Sequence, residues 1–141
     1  MSLERLIDPM TGETLHLIVR GDEISVGKDR VELIAPDNFL QGAIIAGNVG
    51  KKFAAHFHLR RARRFDDLIA QEAWVIVRGR VLVTYYDLRN NAICNREIGP
   101  GDCSITLSGG HAYEILEGPA QIFEFKSGPY EGQGIDKEFI T

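Results

Sequence analysis

Hydrophobic and polar residues alternate in short segments along this chain, and Gly, Asp or Pro separates one segment from the next. In the first third, the pattern predicts short strands at 14–20, 30–35 and 41–47. Short strands with frequent turn residues, and with almost no helical periodicity, are typical of an all-β sandwich or barrel. We therefore expect an all-β fold.

The second half of the chain contains the clearest strand patterns. Two apolar segments flank Arg78-Gly79-Arg80, and two more flank Glu117-Gly118-Pro119, so each pair is predicted to form a hairpin. The predicted strands of this half lie at 71–78, 80–87, 91–98, 103–107, 112–116 and 120–126.

A strand is also predicted at 51–59, and it carries His56 and His58. Alternate residues of a strand point to the same face, so both imidazoles project to the same side. Two neutral imidazoles side by side can bind one divalent metal ion. The alternative is that these histidines fill a polar interior without a metal.

Two later residues suit the same site. Glu72 shares a strand face with Trp74 and Ile76, where a lone charge needs a metal ion or an arginine as its partner. His111 follows two glycines, which permit the backbone angles that aim its imidazole inward. The predicted metal ligands are therefore His56, His58, Glu72 and His111. This nitrogen-rich set suits Zn, Ni, Fe, Mn or Cu better than Mg or Ca.

Four arginines lie in one short segment between the histidine pair and Glu72, namely Arg60, Arg61, Arg63 and Arg64. A guanidinium group binds carboxylate or phosphate with two hydrogen bonds, so this segment is predicted to hold an anionic ligand. The alternative is a solvated loop whose charges pair locally with Asp66 and Asp67, and such pairs contribute little to stability.

Two further polar residues lie on predicted strands. Tyr85 is a candidate to hydrogen-bond a ligand, and its alternative is a packing role with a solvated hydroxyl. His16 stands alone in the first strand and is expected to be an ordinary surface or packed histidine.

Composition narrows the functional classes. The 141 residues, of which 44% are hydrophobic and 26% charged, suit a soluble globular domain. The net charge of −4 argues against nucleic-acid binding. No apolar run is long enough for a transmembrane helix, and the first residues lack the features of a secretory signal, so a cytoplasmic protein is expected. Cys94 and Cys103 are expected to be reduced thiols.

The stretch from Gly50 to Gly79 resembles the first motif of the cupin superfamily: Gly, five residues, His-x-His, a gap, Glu, six residues, Gly. The gap between His58 and Glu72 is longer than the corresponding gap in the cupin motif. A second cupin motif is partly present, because Gly101-Asp102 opens it and His111 matches its histidine. The proline and asparagine of that motif are missing, and its Gly-to-His spacing is shorter here.

The resemblance implies a double-stranded β-helix, the cupin jelly-roll barrel, of a small single-domain prokaryotic cupin. The core would cover 41–126, with N-terminal strands in 1–40 and a C-terminal arm at 127–141. It also implies a homodimer, and metal-dependent isomerase or oxygenase chemistry on a small molecule, such as a sugar derivative in carbohydrate metabolism. A module that binds or senses a small molecule without turnover is the alternative.

Overall fold

The computed structural model describes residues 3–21, 30–45, 48–59, 69–128 and 132–141. The chain divides into two compact units: a first unit, Met1–Ile24 with Ile69–Thr141, and a second unit, Ser25–Leu68. The prediction of one domain over the whole chain stays a prediction.

Across the described residues, the strands are β1 (Leu3–Ile7), β2 (Thr14–Val19), β3 (Arg30–Glu32), β4 (Ala43–Ile45), β5 (Glu72–Tyr86), β6 (Ala92–Ile98), β7 (Cys103–Thr106) and β8 (Gly110–Lys126), and one helical turn follows, α1 (Gln133–Asp136).

The first unit is built on one antiparallel sheet that curls into a half-barrel. Its strand order is β1-β2-β7-β5-β6, and β8 pairs with the other side of β5. The first part of β5 therefore lies between β7 and β8, and its second part lies between β6 and β8. The all-β prediction is confirmed.

Neither predicted hairpin in the second half of the chain forms, because β5 and β8 each continue through the expected turn. The two strands pair with each other along their length, with register shifts near Arg78 and Arg80 in β5, opposite Gln121 and Glu117 in β8. Gly79 has a φ of 89° at this irregularity. Gly and Pro mark bulges as well as turns, so the local pattern indicated a turn where the chain makes a bulge.

Apolar residues form a buried core in the first unit. Its core consists of side chains from β1, β2, β5 and β6, namely Leu6, Ile18, Ile76, Val81, Val83, Tyr85 and Ile98. Buried polar side chains lie beside this core on β2 and β7, among them His16, Ser104 and Thr106. His16 was expected to be a surface or a packed histidine, and its side chain is fully buried.

The second unit contains a short antiparallel hairpin of β3 and β4. The segment 51–59 has no strand structure, so the predicted strand with the two histidines is wrong. Its residues are exposed, and no described strand pairs with it. Alternation alone cannot form a strand, because the backbone groups need a partner strand.

The state of the cysteines and the possibility of a membrane-spanning helix were also predicted from the sequence. Cys94 and Cys103 are both free thiols, as predicted. Among the described residues, no helix has the length and hydrophobicity that crossing a membrane requires.

Candidate functional site

The first unit contains a cavity of about 610 Å³. Strands β5, β7 and β8 form most of its wall, and residues after α1 complete it. The lining includes Glu72, Trp74, Thr106, His111, Tyr113 and Glu124, together with Lys137 and Ile140 from the C-terminal segment.

A carboxyl group and an imidazole meet in this cavity. The Nε2 atom of His111 lies 3.4 Å from Oε1 of Glu72. Glu72 is the first residue of β5, and His111 is the second residue of β8. Their side chains are 6% and 21% exposed, so the pair is largely shielded from water yet reachable from the cavity. The structure thus brings together two of the four predicted metal ligands.

Burial favours the neutral form of both groups. The pKa of His111 is lowered from 6.5 to about 4, chiefly by burial and secondarily by nearby His16 and Lys137. The pKa of Glu72 is raised, chiefly by burial and then by the charge of Glu124. At neutral pH, His111 is therefore an unprotonated imidazole with a lone pair available for a proton or a metal ion.

The hydroxyl of Thr106 lies between two imidazoles. Its Oγ1 atom is 2.8 Å from Nδ1 of His111 and 3.1 Å from Nδ1 of His16. The other ring nitrogen of His16, Nε2, is 3.0 Å from the carbonyl oxygen of Tyr86. Strand pairing accounts for this arrangement, because Thr106 lies directly opposite His16 on β2 and opposite Glu72 on β5.

The turn before His111 allows this close approach. Gly109 has a φ of 78°, which glycine adopts readily. A Cβ atom at this position would lie 2.5 Å from the carbonyl oxygen of Tyr86 and 3.1 Å from Nε2 of His16. The sequence prediction that glycine bends the chain before His111 is in agreement with this geometry.

An aromatic pair forms another part of the cavity wall. Trp74 and Tyr113 are stacked, with ring centroids 3.7 Å apart and an interplanar angle of 5°. The indole Nε1–H of Trp74 donates a hydrogen bond of 3.1 Å to Oε2 of Glu124. This wall offers flat apolar surface next to a carboxylate, which suits a small ligand with both apolar and polar groups.

The C-terminal segment contributes to the cavity after α1. Lys137, Glu138, Phe139 and Ile140 line it. The side chain of Ile140 packs against Gly110, where an added Cβ would lie 2.6 Å from Cδ1 of Ile140. The predicted C-terminal arm is therefore part of the site, which its sequence did not indicate.

The other two predicted histidine ligands belong to the second unit. His56 and His58 belong to the second unit, on the exposed segment 51–59, with their ring centroids 5.2 Å apart. Nδ1 of His56 is 2.9 Å from the carbonyl oxygen of Ala54. Their participation in a four-ligand metal site stays a prediction. The four arginines Arg60, Arg61, Arg63 and Arg64 lie outside the described residues.

Tyr85 lies in the core of the first unit and is fully buried. Its hydroxyl is 2.8 Å from Oγ of Ser104. Burial raises the pKa of Tyr85 to about 12, so the phenol is protonated at neutral pH. Tyr85 therefore packs in the core, but its hydroxyl contacts Ser104 and is not solvated as the alternative expected. The ligand-binding role of Tyr85 stays a prediction.

The sequence patterns do not point to three residues of this site, namely His16, Thr106 and Tyr113. They put Glu124 and Lys126 on one face of the last predicted strand, where the two either pair with each other or line the pocket. Strand register places Thr106 opposite both His16 and Glu72, and it places Glu124 opposite Trp74. Within the described part of the chain, no group of three or more His, Cys, Asp or Glu side chains is arranged to hold a metal ion.

Comparisons with protein-family models, with curated proteins and with solved structures found no match.

Proposed function

We propose that this protein binds a divalent transition metal in the cavity of the first unit and acts with it on a small molecule. The observation that carries the proposal is the approach of His111 Nε2 to within 3.4 Å of Glu72 Oε1 inside that cavity. A neutral imidazole nitrogen and a carboxylate oxygen are a ligand pair that Zn, Ni, Fe, Mn and Cu accept.

The geometry of the pair fits a shared ion. The two ligand atoms are 3.4 Å apart, which is close enough for both to hold one ion. Protonated imidazole cannot bind a metal, and the pKa of about 4 keeps His111 neutral. The other ring nitrogen of His111 already has a partner in Thr106, which is the usual arrangement around a metal-bound histidine.

The full proposal includes the jelly-roll form of the fold and two further ligands, His56 and His58. Support for both comes from the resemblance of 50–79 to the first cupin motif. Of the observed pair, Glu72 belongs to that motif, and His111 belongs to the partial second motif.

A metal ion bound here would polarise a carbonyl group or activate oxygen, which suits isomerisation or oxygenation of a sugar derivative. The chain itself would orient the substrate and limit the access of water. The stacked Trp74 and Tyr113 provide a flat wall, and the C-terminal segment with Ile140 covers part of the cavity. The anionic substrate of this proposal rests on the arginine-rich segment, because the cavity is lined by carboxylates as well as by lysines, namely Glu72, Glu124, Glu138, Lys126 and Lys137.

Metal analysis of protein purified without a histidine tag tests the proposal. We expect about one equivalent of metal per chain, a strong loss in His111→Ala and a smaller loss in Glu72→Gln. The matched control is Glu114→Gln, which removes an exposed carboxylate from the same strand as His111. Full metal content in both His111→Ala and Glu72→Gln would contradict the proposal.

The second candidate is a module that binds a small molecule without turnover. The stacked Trp74 and Tyr113 favour it, because an aromatic wall provides binding surface and takes no part in proton transfer. A metal-loaded sample assayed on keto-sugars and oxidisable small molecules separates the two candidates. Turnover that disappears in His111→Ala supports the enzyme, and ligand-induced quenching of Trp74 fluorescence without turnover supports the module.

A further inference from the structure

The hydrogen bonds that connect Tyr86, His16, Thr106 and His111 have a defined direction. The carbonyl oxygen of Tyr86 can only accept, so the Nε2 atom of His16, 3.0 Å away, must carry a proton and donate it. Burial lowers the pKa of His16, so its imidazole is neutral at pH 7 and has a single N–H. The Nδ1 atom of His16 is therefore an acceptor.

The donor and acceptor roles of the Thr106 hydroxyl determine which nitrogen of His111 carries the proton. A hydroxyl has one proton to donate, and the Nδ1 acceptor of His16, 3.1 Å away, takes it. The oxygen of Thr106 then has only lone pairs to offer His111. The Nδ1 atom of His111, at 2.8 Å, must consequently donate, and its Nε2 atom is left with the lone pair.

We infer that Thr106 and His16 are positioning residues that hold His111 in the tautomer protonated on Nδ1, with the Nε2 lone pair directed at Glu72. Thr106 is 4% exposed and His16 is fully buried, so water has little access to replace either partner. The tautomer follows from these hydrogen bonds together with the neutral state of the His16 imidazole. The consequence, that the Nε2 atom of His111 has a lone pair available to bind a metal ion, rests on the proposed function.

Hydrogen bonding of this kind also fixes the orientation of the ring. Nδ1 of His111 is anchored to β7 through Thr106, and Nε2 thereby points to the carboxyl group at the start of β5. Without the Thr106 hydroxyl, the imidazole would be free to adopt the Nε2–H form, in which the nitrogen facing Glu72 has no lone pair for a metal ion. Loss of such a partner weakens metal binding by about 10- to 100-fold.

Nitrogen-15 NMR of the metal-free protein at pH 7 tests the tautomer directly. Two-bond proton–nitrogen correlations distinguish Nδ1–H from Nε2–H, and the His111→Ala variant assigns the resonances among the four histidines of the chain. We expect His111 in the Nδ1–H form. An Nε2–H form in the wild-type protein would overturn the inference without any variant.

Two substitutions at Thr106 separate positioning from packing. Thr106→Val keeps the shape of the side chain and removes the hydroxyl, so His111 should lose its preference for the Nδ1–H form. Thr106→Ser restores the hydroxyl and should restore that tautomer. An unchanged tautomer in Thr106→Val would overturn the inference, as would a Thr106→Ser variant that resembles Thr106→Val.

Cobalt(II) titration followed by visible absorption adds the functional readout. Thr106→Val should bind cobalt about 10- to 100-fold more weakly than wild type, and Thr106→Ser close to normally. If wild type has the Nδ1–H tautomer and binds no cobalt, the proposed function fails and the inference about the tautomer stands. If wild type binds cobalt but its metal-free form is Nε2–H, the inference fails and the proposed function stands.

Discussion

The indole ring of Trp74 lies parallel to the phenol ring of Tyr113, with 3.7 Å between the ring centroids and 5° between the ring planes. Trp74 is the only tryptophan in the chain, and both rings line the cavity. Intrinsic fluorescence and near-UV circular dichroism therefore report on this cavity directly.

We predict that Tyr113→Leu changes the near-UV circular dichroism spectrum and shifts the emission of Trp74. It should also lower the free energy of unfolding by about 1 kcal/mol, because it removes a stacked aromatic pair. Urea denaturation gives the stability change. Phe53→Leu, which replaces an exposed aromatic ring of the second unit, should leave both spectra unchanged. Identical spectra for wild type and Tyr113→Leu would contradict the stacked geometry.

The stability of the metal-free protein should depend on pH through His111. The unfolded chain takes up a proton near pH 6.5, whereas the folded protein does so only near the lowered pKa of about 4. Protonation between these values favours the unfolded state. The contribution of His111 to the free energy of unfolding therefore declines as the pH falls from about 6.5 to 4, by up to about 3 kcal/mol.

Urea denaturation at several pH values, compared between wild type and His111→Gln, measures this contribution. Glu72 titrates with the opposite sign, because its raised pKa makes the folded protein hold a proton more tightly than the unfolded chain. Its contribution declines as the pH rises from the ordinary carboxyl value through the raised one, and Glu72→Gln removes it. Parallel stability profiles for wild type and His111→Gln between pH 4 and 6.5 would show that His111 is not shielded as described.

Gly79→Ala should destabilise the protein by about 2 kcal/mol. Gly79 has a positive φ of 89°, and an added Cβ would lie 2.6 Å from the carbonyl oxygen of Glu117 and 2.8 Å from Cβ of Ala120. Thermal and urea denaturation measure the loss. Gly99→Ala is the matched control, because a Cβ there meets nothing within 4 Å. Equal stability of the two variants would mean that β5 and β8 do not pair closely at this bulge.

Charge removal in the arginine-rich segment tests whether it binds an anion. The double variants Arg60→Gln/Arg61→Gln and Arg63→Gln/Arg64→Gln are titrated with inorganic phosphate by calorimetry at low and moderate salt. At least one should bind phosphate about tenfold more weakly, with a reduced salt dependence and unchanged metal content.

Arg30→Gln serves as the control for that experiment, because its exposed guanidinium pairs with Glu32. Phosphate affinity that is unchanged in both double variants would leave the segment as a solvated loop. The choice of ligand would then depend on the residues that line the cavity.

Local sequence patterns were enough to predict the all-β class and part of the site. Alternation in β5 put Glu72 and Trp74 on one face, and the glycine turn before His111 predicted the bend that aims its imidazole. These features depend on backbone geometry within a few residues, which the amino-acid types largely determine. Composition likewise predicted reduced thiols at Cys94 and Cys103, in agreement with the structure.

Contacts between distant parts of the chain decided the bulges in β5 and β8 and the remaining residues of the site. Gly79 and Gly118-Pro119 have the sequence signature of turns, and only the pairing of β5 with β8 makes them bulges in two long strands. His16 and Thr106 are 90 residues apart, and strand register alone places them side by side next to His111. Register depends on the side chains of both strands at once, so it cannot be read from either strand by itself.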